Sequence, residues 1–233
     1  MRQPFAIAID GPAGVGKSTV ARGAARRLGA VYVDSGATYR AAALKVLESG
    51  ASPDDAARAA EVVTGAAIRL EADGPRSRVL LDGRDVEDRI RTPEVTLAAS
   101  KVSRLPEVRR KLIALQRRIA AGRDVVMEGR DIGTVVLPDA RLKIFLTADP
   151  QARARRRLEQ DRGEGRGLGT LDETAREIAR RDRLDTERSI SPLVPAADAV
   201  ELDTTALTAE EAVERIVELA RERGLHEKAQ IKS

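Results

Sequence analysis

The sequence of 233 residues contains no cysteine, no tryptophan and a single histidine, His226. Without cysteine, the chain cannot form a disulfide framework, a thiolate zinc site or a covalent intermediate on sulfur. The histidine lies near the end of the sequence, which excludes a Ser-His-Asp triad unless the triad involves that tail. Most hydrolase chemistry is therefore not expected.

Long apolar segments and targeting signals are missing as well. No apolar run approaches the roughly 18 to 20 residues that a membrane-spanning helix needs, and residues 1–10 do not show the charged-then-apolar pattern of a signal peptide. We therefore expect a cytoplasmic protein without a membrane partner. With 42% hydrophobic residues the chain can bury a core, and its length fits one domain over residues 1–233.

Aromatic residues make up only 2% of the chain, and 41 basic residues nearly balance 37 acidic ones. Few aromatic side chains are thus available to stack on bases, so we expect no nucleic-acid partner. Of the basic residues, 34 are arginine. Guanidinium groups suit anionic ligands because they form two parallel hydrogen bonds to phosphate, although coding bias and helix propensity also favour arginine.

The order of apolar and amphipathic segments predicts an α/β fold with about five parallel strands covered by helices. Buried strands are predicted at 5–10, 31–34, 124–128, 142–147 and 199–203. Helices are predicted at 17–28, 37–49, 105–121, 150–162 and 171–187, with a last helix capped by Thr208 and Glu211 and closed by Gly224.

Two segments break this order. Residues 66–92 alternate around a turn at 73–75, which predicts a small antiparallel insertion. Residues 151–170 combine arginines with glycines 163, 165, 167 and 169, a composition typical of a mobile segment. The predicted parts are a core at about 1–60, 95–150 and 171–224, an insertion at about 62–94, a lid at about 151–170 and a frayed tail at 225–233.

A P-loop pattern, G-x-x-x-x-G-K-[ST], lies between the first predicted strand and helix. Its glycines let backbone N–H groups turn toward phosphate, Lys17 would neutralise the β- and γ-phosphates, and the Ser18 hydroxyl would ligate Mg²⁺. A glycine turn kept for packing alone is the alternative. The expected cofactor is ATP with Mg²⁺. The predicted ATP-binding residues are Gly11, Pro12, Ala13, Gly14, Val15, Gly16, Lys17, Ser18, Thr19 and Arg156.

Other classes of P-loop protein fit less well. No Asn-Lys-x-Asp run that would read guanine is present, and we find no strand ending in the carboxylate and catalytic glutamate of motor ATPases. The predicted insertion and the arginine- and glycine-rich segment favour a small kinase. The blocks that specify it further are 34–40 (Asp-Ser-Gly-Ala-Thr-Tyr-Arg), 128–136 (Glu-Gly-Arg-Asp-Ile-Gly-Thr-Val-Val) and 181–195, from Arg-Asp-Arg-Leu-Asp to Ser-Pro-Leu-Val-Pro.

Together with the P-loop, these blocks resemble the bacterial cytidylate kinases, and the resemblance runs from about Ile7 to Arg221. It implies a P-loop NTPase core, a nucleoside-monophosphate-binding insertion and a mobile lid. It also implies transfer of the γ-phosphate of ATP to CMP or dCMP by a monomer. The substrate-binding residues that it implies are Ser35, Arg40, Ser100, Arg109, Arg130, Asp131, Arg181, Asp185 and Arg188.

The resemblance also assigns roles to some of these residues. Arg40, Arg130 and Arg188 would hold the acceptor phosphate or the transferring group, and Arg181 with Asp185 would contact the sugar hydroxyls. Surface ion pairs are the alternative for the arginines, and a cap or ion pair on a charged helix for Asp185.

Cytosine offers an amino donor beside two acceptors, so selection against uracil needs an acceptor facing the amino group. By resemblance, Ser100, Arg109 and Asp131 read the base with help from Ser35. No general base is expected, because a phosphate oxygen with a second pKa of about 6 is already largely ionised near pH 7.

The lid contains the family pattern R-A-x-R-R, in which Arg153, Arg156 and Arg157 can share one helical face while Arg155 points elsewhere. A solvated basic face is the alternative. The residues expected to act in catalysis are Lys17, Arg130, Arg153 and Arg157.

Some members of the family have glycine in place of Ser18, so its hydroxyl is not expected to be indispensable for Mg²⁺. Asp34 and Asp131 are the next candidates to support the ion through outer-sphere contact. Two rival functions stay open: a kinase for another acceptor such as UMP, AMP or shikimate, and a basic P-loop protein that binds nucleic acid. A panel of acceptors and the salt dependence of any nucleic-acid affinity would distinguish them.

Overall fold

The computed structural model describes residues 3–73, 76–163 and 169–225. The strands are β1 (Ala6–Asp10), β2 (Val31–Asp34), β3 (Ile68–Asp73), β4 (Arg76–Leu81), β5 (Arg84–Asp85), β6 (Val125–Gly129), β7 (Leu142–Thr147) and β8 (Val200–Asp203). The helices are α1 (Lys17–Arg27), α2 (Ser35–Glu48), α3 (Ala56–Gly65), α4 (Pro93–Val102), α5 (Pro106–Ala120), α6 (Pro150–Gly163), α7 (Leu171–Thr186) and α8 (Ala209–Glu222).

Five strands form a parallel sheet in the order β2-β6-β1-β7-β8. In its centre Ile7 pairs with Val126 on one side and with Leu142 on the other. The central strands are buried on both faces, which explains why their sequences are continuous apolar runs rather than alternating ones. All five predicted strands are confirmed, and their ends differ from the prediction by one residue at most.

Helices cover both faces of this sheet. On one face, Ile7 and Ile9 pack with α1 and α8, and on the other Ala8 packs with α2 and α5. Gly23 lets α1 and α8 approach closely, because a Cβ there would lie 2.5 Å from a methyl group of Val213. Helices α1 and α8 therefore pack closely together on this face of the sheet.

The predicted helices are confirmed to within two residues at their ends, including the capping box of Thr208 and Glu211 before α8. Helices α3 and α4 were not predicted from the sequence. Both carry start signals, since Asp55 accepts a hydrogen bond from the Arg58 N–H and α4 begins with Thr92 as cap and Pro93 as first residue. Each is ten residues long, shorter than every helix that was predicted.

The predicted antiparallel insertion is present as β3, β4 and β5. Leu70 pairs with Val79, and both belong to the apolar cluster that contains Val33 of β2. The division into core, insertion and lid remains a prediction, and its first boundary, near residue 60, falls inside α3. Helix α6 covers the first part of the predicted lid.

Parts of three predicted features lie outside the described residues: the turn at 74–75, the lid segment at 164–168 and the tail from 226, which includes His226. Among the residues that are described, no helix is long and apolar enough to cross a membrane.

Candidate active site

The P-loop joins the end of β1 to α1 and has the backbone conformation that its glycines predict. Gly14 and Gly16 have φ angles of 76° and 91°, which side chains disfavour. A Cβ on Gly11 would lie 2.4 Å from the Leu146 carbonyl oxygen. Gly16 caps α1 without a side chain, so the first N–H groups of the helix face the loop as an anion site would require.

Lys17 reaches back over this loop, where its Nζ donates a hydrogen bond of 2.6 Å to the Pro12 carbonyl. The side chain is buried, and burial followed by repulsion from Arg130 lowers the pKa of Lys17 to about 7, although Glu128 opposes the shift. The lysine is thus poised to gain charge when an anion binds.

Glu128 is a cleft residue whose role was not predicted from the sequence. It lies in β6, next to the P-loop strand, and accepts a hydrogen bond of 3.0 Å from the Tyr32 hydroxyl. Burial and then Asp34 raise the pKa of Glu128, while Lys17 and the side chains of Ser18 and Tyr32 act in the opposite direction. An acidic residue at the end of a strand beside the P-loop strand was the signal that could have identified it.

The two carboxylates named as supports for Mg²⁺ are each paired with an arginine. Asp34 accepts a hydrogen bond of 2.7 Å from Arg40, and Asp131 forms an ion pair with Arg109. Burial raises the pKa of Asp34, but Arg40 and Arg91 outweigh it and hold this pKa below its usual value. Glu128, by contrast, shares a side-chain hydrogen bond with Ser18.

The P-loop opens into a cleft of about 250 Å³ between the sheet and α4 and α7. The predicted residues that line it are Ala13, Gly14, Gly16, Lys17, Ser18, Thr19, Ser35, Arg40, Ser100, Arg130, Asp131, Arg157, Arg181, Asp185 and Arg188. The P-loop and the predicted acceptor side chains are thus brought together. We call the part of this cleft away from the P-loop, between α2, α4 and α7, the acceptor compartment.

Three arginines, Arg130, Arg181 and Arg188, surround the carboxylate of Asp185 in the acceptor compartment. Asp185 accepts a hydrogen bond of 2.8 Å from the Nε of Arg130 and lies 3.5 Å from Arg188. Burial raises the pKa of Asp185, but Arg130 and Arg188 outweigh it and lower this pKa. Burial, together with Arg130 and Arg157, lowers the pKa of Arg181 to about 10. Positive charge therefore exceeds negative charge here, as binding of a phosphate requires.

Three of the four predicted base-reading residues line the cleft. Asp131 and Ser100 line the cleft, and the Ser35 hydroxyl donates a hydrogen bond of 2.6 Å to the Glu128 carbonyl. Arg109 is only 2% exposed and does not line the cleft. It is paired with Asp131 and donates a hydrogen bond of 3.2 Å to the Ser103 carbonyl. Arg109 is thus placed to orient Asp131.

The segment that carries Arg130 and Asp131 is held from below by Asp10, the last residue of β1. The two Asp10 oxygens accept hydrogen bonds of 2.8 Å and 2.7 Å from the N–H groups of Ile132 and Gly133, at the start of a π-helical turn. Burial raises the pKa of Asp10 to about 6, although these two hydrogen bonds lower it. Such single π turns are frequent at functional sites.

The lid arginines reach different partners from α6. Arg153 donates a hydrogen bond of 3.2 Å to the Ala13 carbonyl. It lines neither the cleft nor the pocket on the outer side of the P-loop. Arg156 turns to the other side and donates a hydrogen bond of 3.0 Å to the Thr204 hydroxyl. Arg157 pairs with Asp161 at 2.9 Å and lines the cleft, and Arg155 is exposed as expected.

A second compartment of about 360 Å³ lies on the outer side of the P-loop. Its walls include Val15 and Arg156 together with Thr204, Leu207 and Thr208 from the segment after β8. Of the predicted P-loop residues, Gly11 and Pro12 line neither compartment. The second compartment is continuous with the phosphate loop, as a site for the rest of a nucleotide should be.

The cleft-lining residues that were not predicted include Tyr39, Arg91 and Thr96. Tyr39 belongs to a block that the sequence analysis quoted. Arg91 comes from the insertion and Thr96 from α4, the helix that was not predicted, so no local signal marked either of them.

Comparisons with known proteins agree with this geometry. A family model described as cytidylate kinase matches residues 7–222. The chain is 50% identical over 212 residues to a cytidylate kinase of Pelotomaculum thermopropionicum, covering 91% of this chain and 93% of that one. It is 51% identical over 215 residues to a cytidylate kinase of Caldanaerobacter subterraneus, covering 92% and 94%.

A search of solved structures identifies the same architecture. An uncharacterized protein from Eubacterium ventriosum has a TM-score of 0.53 at 14% identity, with 95% of this chain and 99% of that chain covered. This likeness concerns the fold alone. The sequence match extends over nearly the whole chain, and the chain therefore belongs to the cytidylate kinase family.

Proposed function

We propose that this protein transfers the γ-phosphoryl group of ATP to CMP or dCMP and releases ADP with CDP or dCDP. The observation that carries the proposal is one cleft that joins a P-loop to a wall containing Arg40, Arg130, Arg181 and Arg188. Phosphoryl transfer needs a donor and an acceptor phosphate side by side. The family match supports the assignment of CMP as acceptor.

The chain contributes position and charge rather than proton transfer. Lys17 and the P-loop N–H groups would hold the β- and γ-phosphates, while Arg130 and Arg188 would hold the acceptor phosphate. Charge that develops on the transferring group would be neutralised by Lys17, Arg130 and Arg157. The acceptor oxygen needs no general base because phosphate is largely ionised near pH 7.

A magnesium ion fits the donor set beside the P-loop. The Ser18 hydroxyl and the buried Glu128 carboxylate supply the oxygen ligands that Mg²⁺ prefers, directly or through water. When bound with ATP, Mg²⁺ would neutralise charge on the β- and γ-phosphate oxygens. Glu128 would also keep Ser18 oriented toward it.

Recognition of cytosine would depend on Asp131. Its carboxylate lines the cleft and can accept a hydrogen bond from the cytosine amino group, which uracil lacks. Arg109 would hold this carboxylate in place through their ion pair. Ser35 and Ser100 would offer hydroxyls to the remaining edge of the base, and Arg181 with Asp185 would contact the sugar hydroxyls.

The proposal is tested by ADP release with ATP, Mg²⁺ and CMP, dCMP, UMP, AMP or GMP at equal concentration. Fast turnover with the two cytidine nucleotides and little with UMP is expected. Turnover led by UMP or AMP would keep the phosphotransfer but refute the role given to Asp131. No turnover with any of the five would refute the assignment of a nucleoside monophosphate as acceptor.

The proposed state of the protein is a cytoplasmic monomer that binds small nucleotides and no nucleic acid. One chain supplies both the P-loop and the acceptor arginines, so the cleft needs no second copy. Light scattering after size-exclusion chromatography should give the mass of one chain, with and without CMP. A mass of two chains that depends on nucleotide would overturn this part.

A further inference from the structure

Asp182, in α7, contacts the P-loop from outside the cleft. One of its oxygens accepts a hydrogen bond of 2.9 Å from the Ala13 N–H. The other is paired with Arg153, which also donates a hydrogen bond of 3.2 Å to the Ala13 carbonyl. These contacts form a closed ring in which the N–H and the carbonyl of one P-loop residue are held by two charged side chains.

Packing at the same place is tight. A Cβ on Gly14 would lie 3.0 Å from the Arg153 carbonyl oxygen and 3.3 Å from a methyl group of Ile178. Ala13 also packs with Ile178 in a small apolar cluster. The outer bend of the P-loop therefore rests directly on α6 and α7, and the ring around Asp182 determines the direction of its backbone groups.

Asp182 also has a special position along α7. It follows Arg181 directly and precedes Asp185 by less than one turn, and both of those residues line the cleft. The helix that carries the acceptor-binding side chains is thus bonded to the loop that carries the ATP-binding N–H groups. Among the described hydrogen bonds, the one from the Ala13 N–H to the Asp182 carboxylate joins the P-loop backbone to α7.

We propose that Asp182 is a positioning residue for the P-loop. By accepting the Ala13 N–H and holding Arg153 against the Ala13 carbonyl, it fixes the bend at Ala13 and Gly14 in the conformation that receives the phosphates of ATP. The proposal rests on the proposed function, because that function identifies the nucleotide as ATP. It assigns Asp182 no contact with substrate, since it acts through the P-loop backbone and Arg153.

Two substitutions separate the parts of the ring. Asp182→Asn keeps one oxygen for the Ala13 N–H but loses the charge that pairs with Arg153, whereas Asp182→Ala loses both. A matched control is Asp139→Asn, which makes the same change of charge on an exposed turn before β7, at the opposite end of the sheet from the P-loop.

The measurements are the dissociation constant of ATP in the absence of acceptor and the KM values for ATP and CMP. Asp182→Ala should weaken ATP binding about tenfold, as expected when a charged hydrogen-bonding group is lost. Asp182→Asn should weaken it by about threefold, and Asp139→Asn should leave it unchanged. The KM for CMP should change less than the KM for ATP in both Asp182 variants.

Unchanged ATP affinity in a folded Asp182→Asn protein, or a loss confined to CMP, would refute the proposal. A lower melting temperature with unchanged KM values would show that the ring serves stability only. The direct ATP titration is independent of acceptor, so it still tests Asp182 if the protein fails to phosphorylate CMP.

A double-mutant cycle gives a second test. If both residues act through one ring, Asp182→Ala should weaken ATP binding much less in an Arg153→Ala background than in the wild type. Additive losses would mean that the two side chains act separately, which would overturn the ring as the mechanism.

Discussion

The phosphate-binding part of the ATP side comes mainly from one short stretch within residues 13–19, whereas the acceptor side is assembled from α2, α4, α7 and the segment after β6. The first uses mainly backbone N–H groups and a single lysine. The second uses long side chains from distant parts of the sequence, joined by ion pairs such as Arg130 with Asp185. A substitution on the ATP side should therefore lower turnover with every acceptor. A substitution on the acceptor side should selectively lower the use of CMP.

The largest effect is expected for Lys17→Ala. Its charge would face the phosphoryl group during transfer, and no other lysine lines the cleft within the described residues. We expect kcat/KM to fall by about 10³-fold or more, with every acceptor alike. Assays of ADP release with CMP and with dCMP measure this fall in kcat/KM. A loss confined to CMP would break the comparison, because it would place Lys17 on the acceptor side.

Arg130→Ala should be the next most damaging and should affect the acceptor. The variant removes a partly buried guanidinium but leaves Asp185 with Arg188, so the fold should persist. We expect about 100-fold loss in kcat/KM for CMP. ATP affinity, measured by titration without acceptor, should stay within about threefold of the wild type. Loss of ATP binding would show that Arg130 belongs to the ATP side.

Asp131→Ala tests recognition of the base, whereas Arg130→Ala tests recognition of the acceptor phosphate. The variant removes the carboxylate expected to accept a hydrogen bond from the cytosine amino group. Discrimination between CMP and UMP should fall about tenfold or more, mainly through slower use of CMP. Competition assays with both acceptors measure the ratio, and an unchanged ratio would remove Asp131 from base reading.

Asp10→Asn tests the junction between the two sides. Asparagine keeps one oxygen for the N–H groups of Ile132 and Gly133 but presents an amino group to the other, so the segment carrying Arg130 should be less well fixed. We expect the KM for CMP to rise about fivefold with a smaller change for ATP. Asp139→Asn is again the matched control. An equal rise for both substrates would mean that Asp10 supports the P-loop instead.

The same contrast explains what the sequence could predict. The P-loop is a local pattern, so its residues, the strand before it and the helix after it follow from spacing alone. The acceptor residues are spread over more than 150 positions, from Ser35 to Arg188, and only the resemblance to a family grouped them. Contacts that depend on tertiary packing had no such signal.

Some residues make contacts that the sequence alone did not predict. Arg109 is implied as a base contact, yet it is buried beneath Asp131. Arg153 and Arg156 share a helical face by spacing, yet one bonds to Ala13 and the other to Thr204, because long side chains follow the partners that surround a helix. Glu128 was overlooked because its meaning depends on β6 lying next to β1, which spacing alone does not give.

The smallest expected effect is a change in bound protons. With a pKa of about 7, Lys17 is mostly neutral at pH 8 in the free protein, and the phosphates of ATP should restore its charge. Binding of ATP at pH 8 should thus take up nearly one proton, while at pH 5.5 it should take up almost none at this group. Calorimetry in buffers of different ionisation enthalpy gives the number directly.

At pH 8 ATP itself is fully ionised, so the proton must be bound by the protein. Lys17→Arg is the matched variant, since a guanidinium stays charged at this pH and should abolish the uptake whether or not turnover survives. Uptake that persists in Lys17→Arg would assign the proton to another buried group such as Asp10, whose pKa is raised to about 6. Backbone N–H groups cannot gain a proton, so proton uptake at Lys17 would show that this side chain supplies the change of charge on the ATP side when ATP binds. The acceptor side, by contrast, divides that task among several arginines.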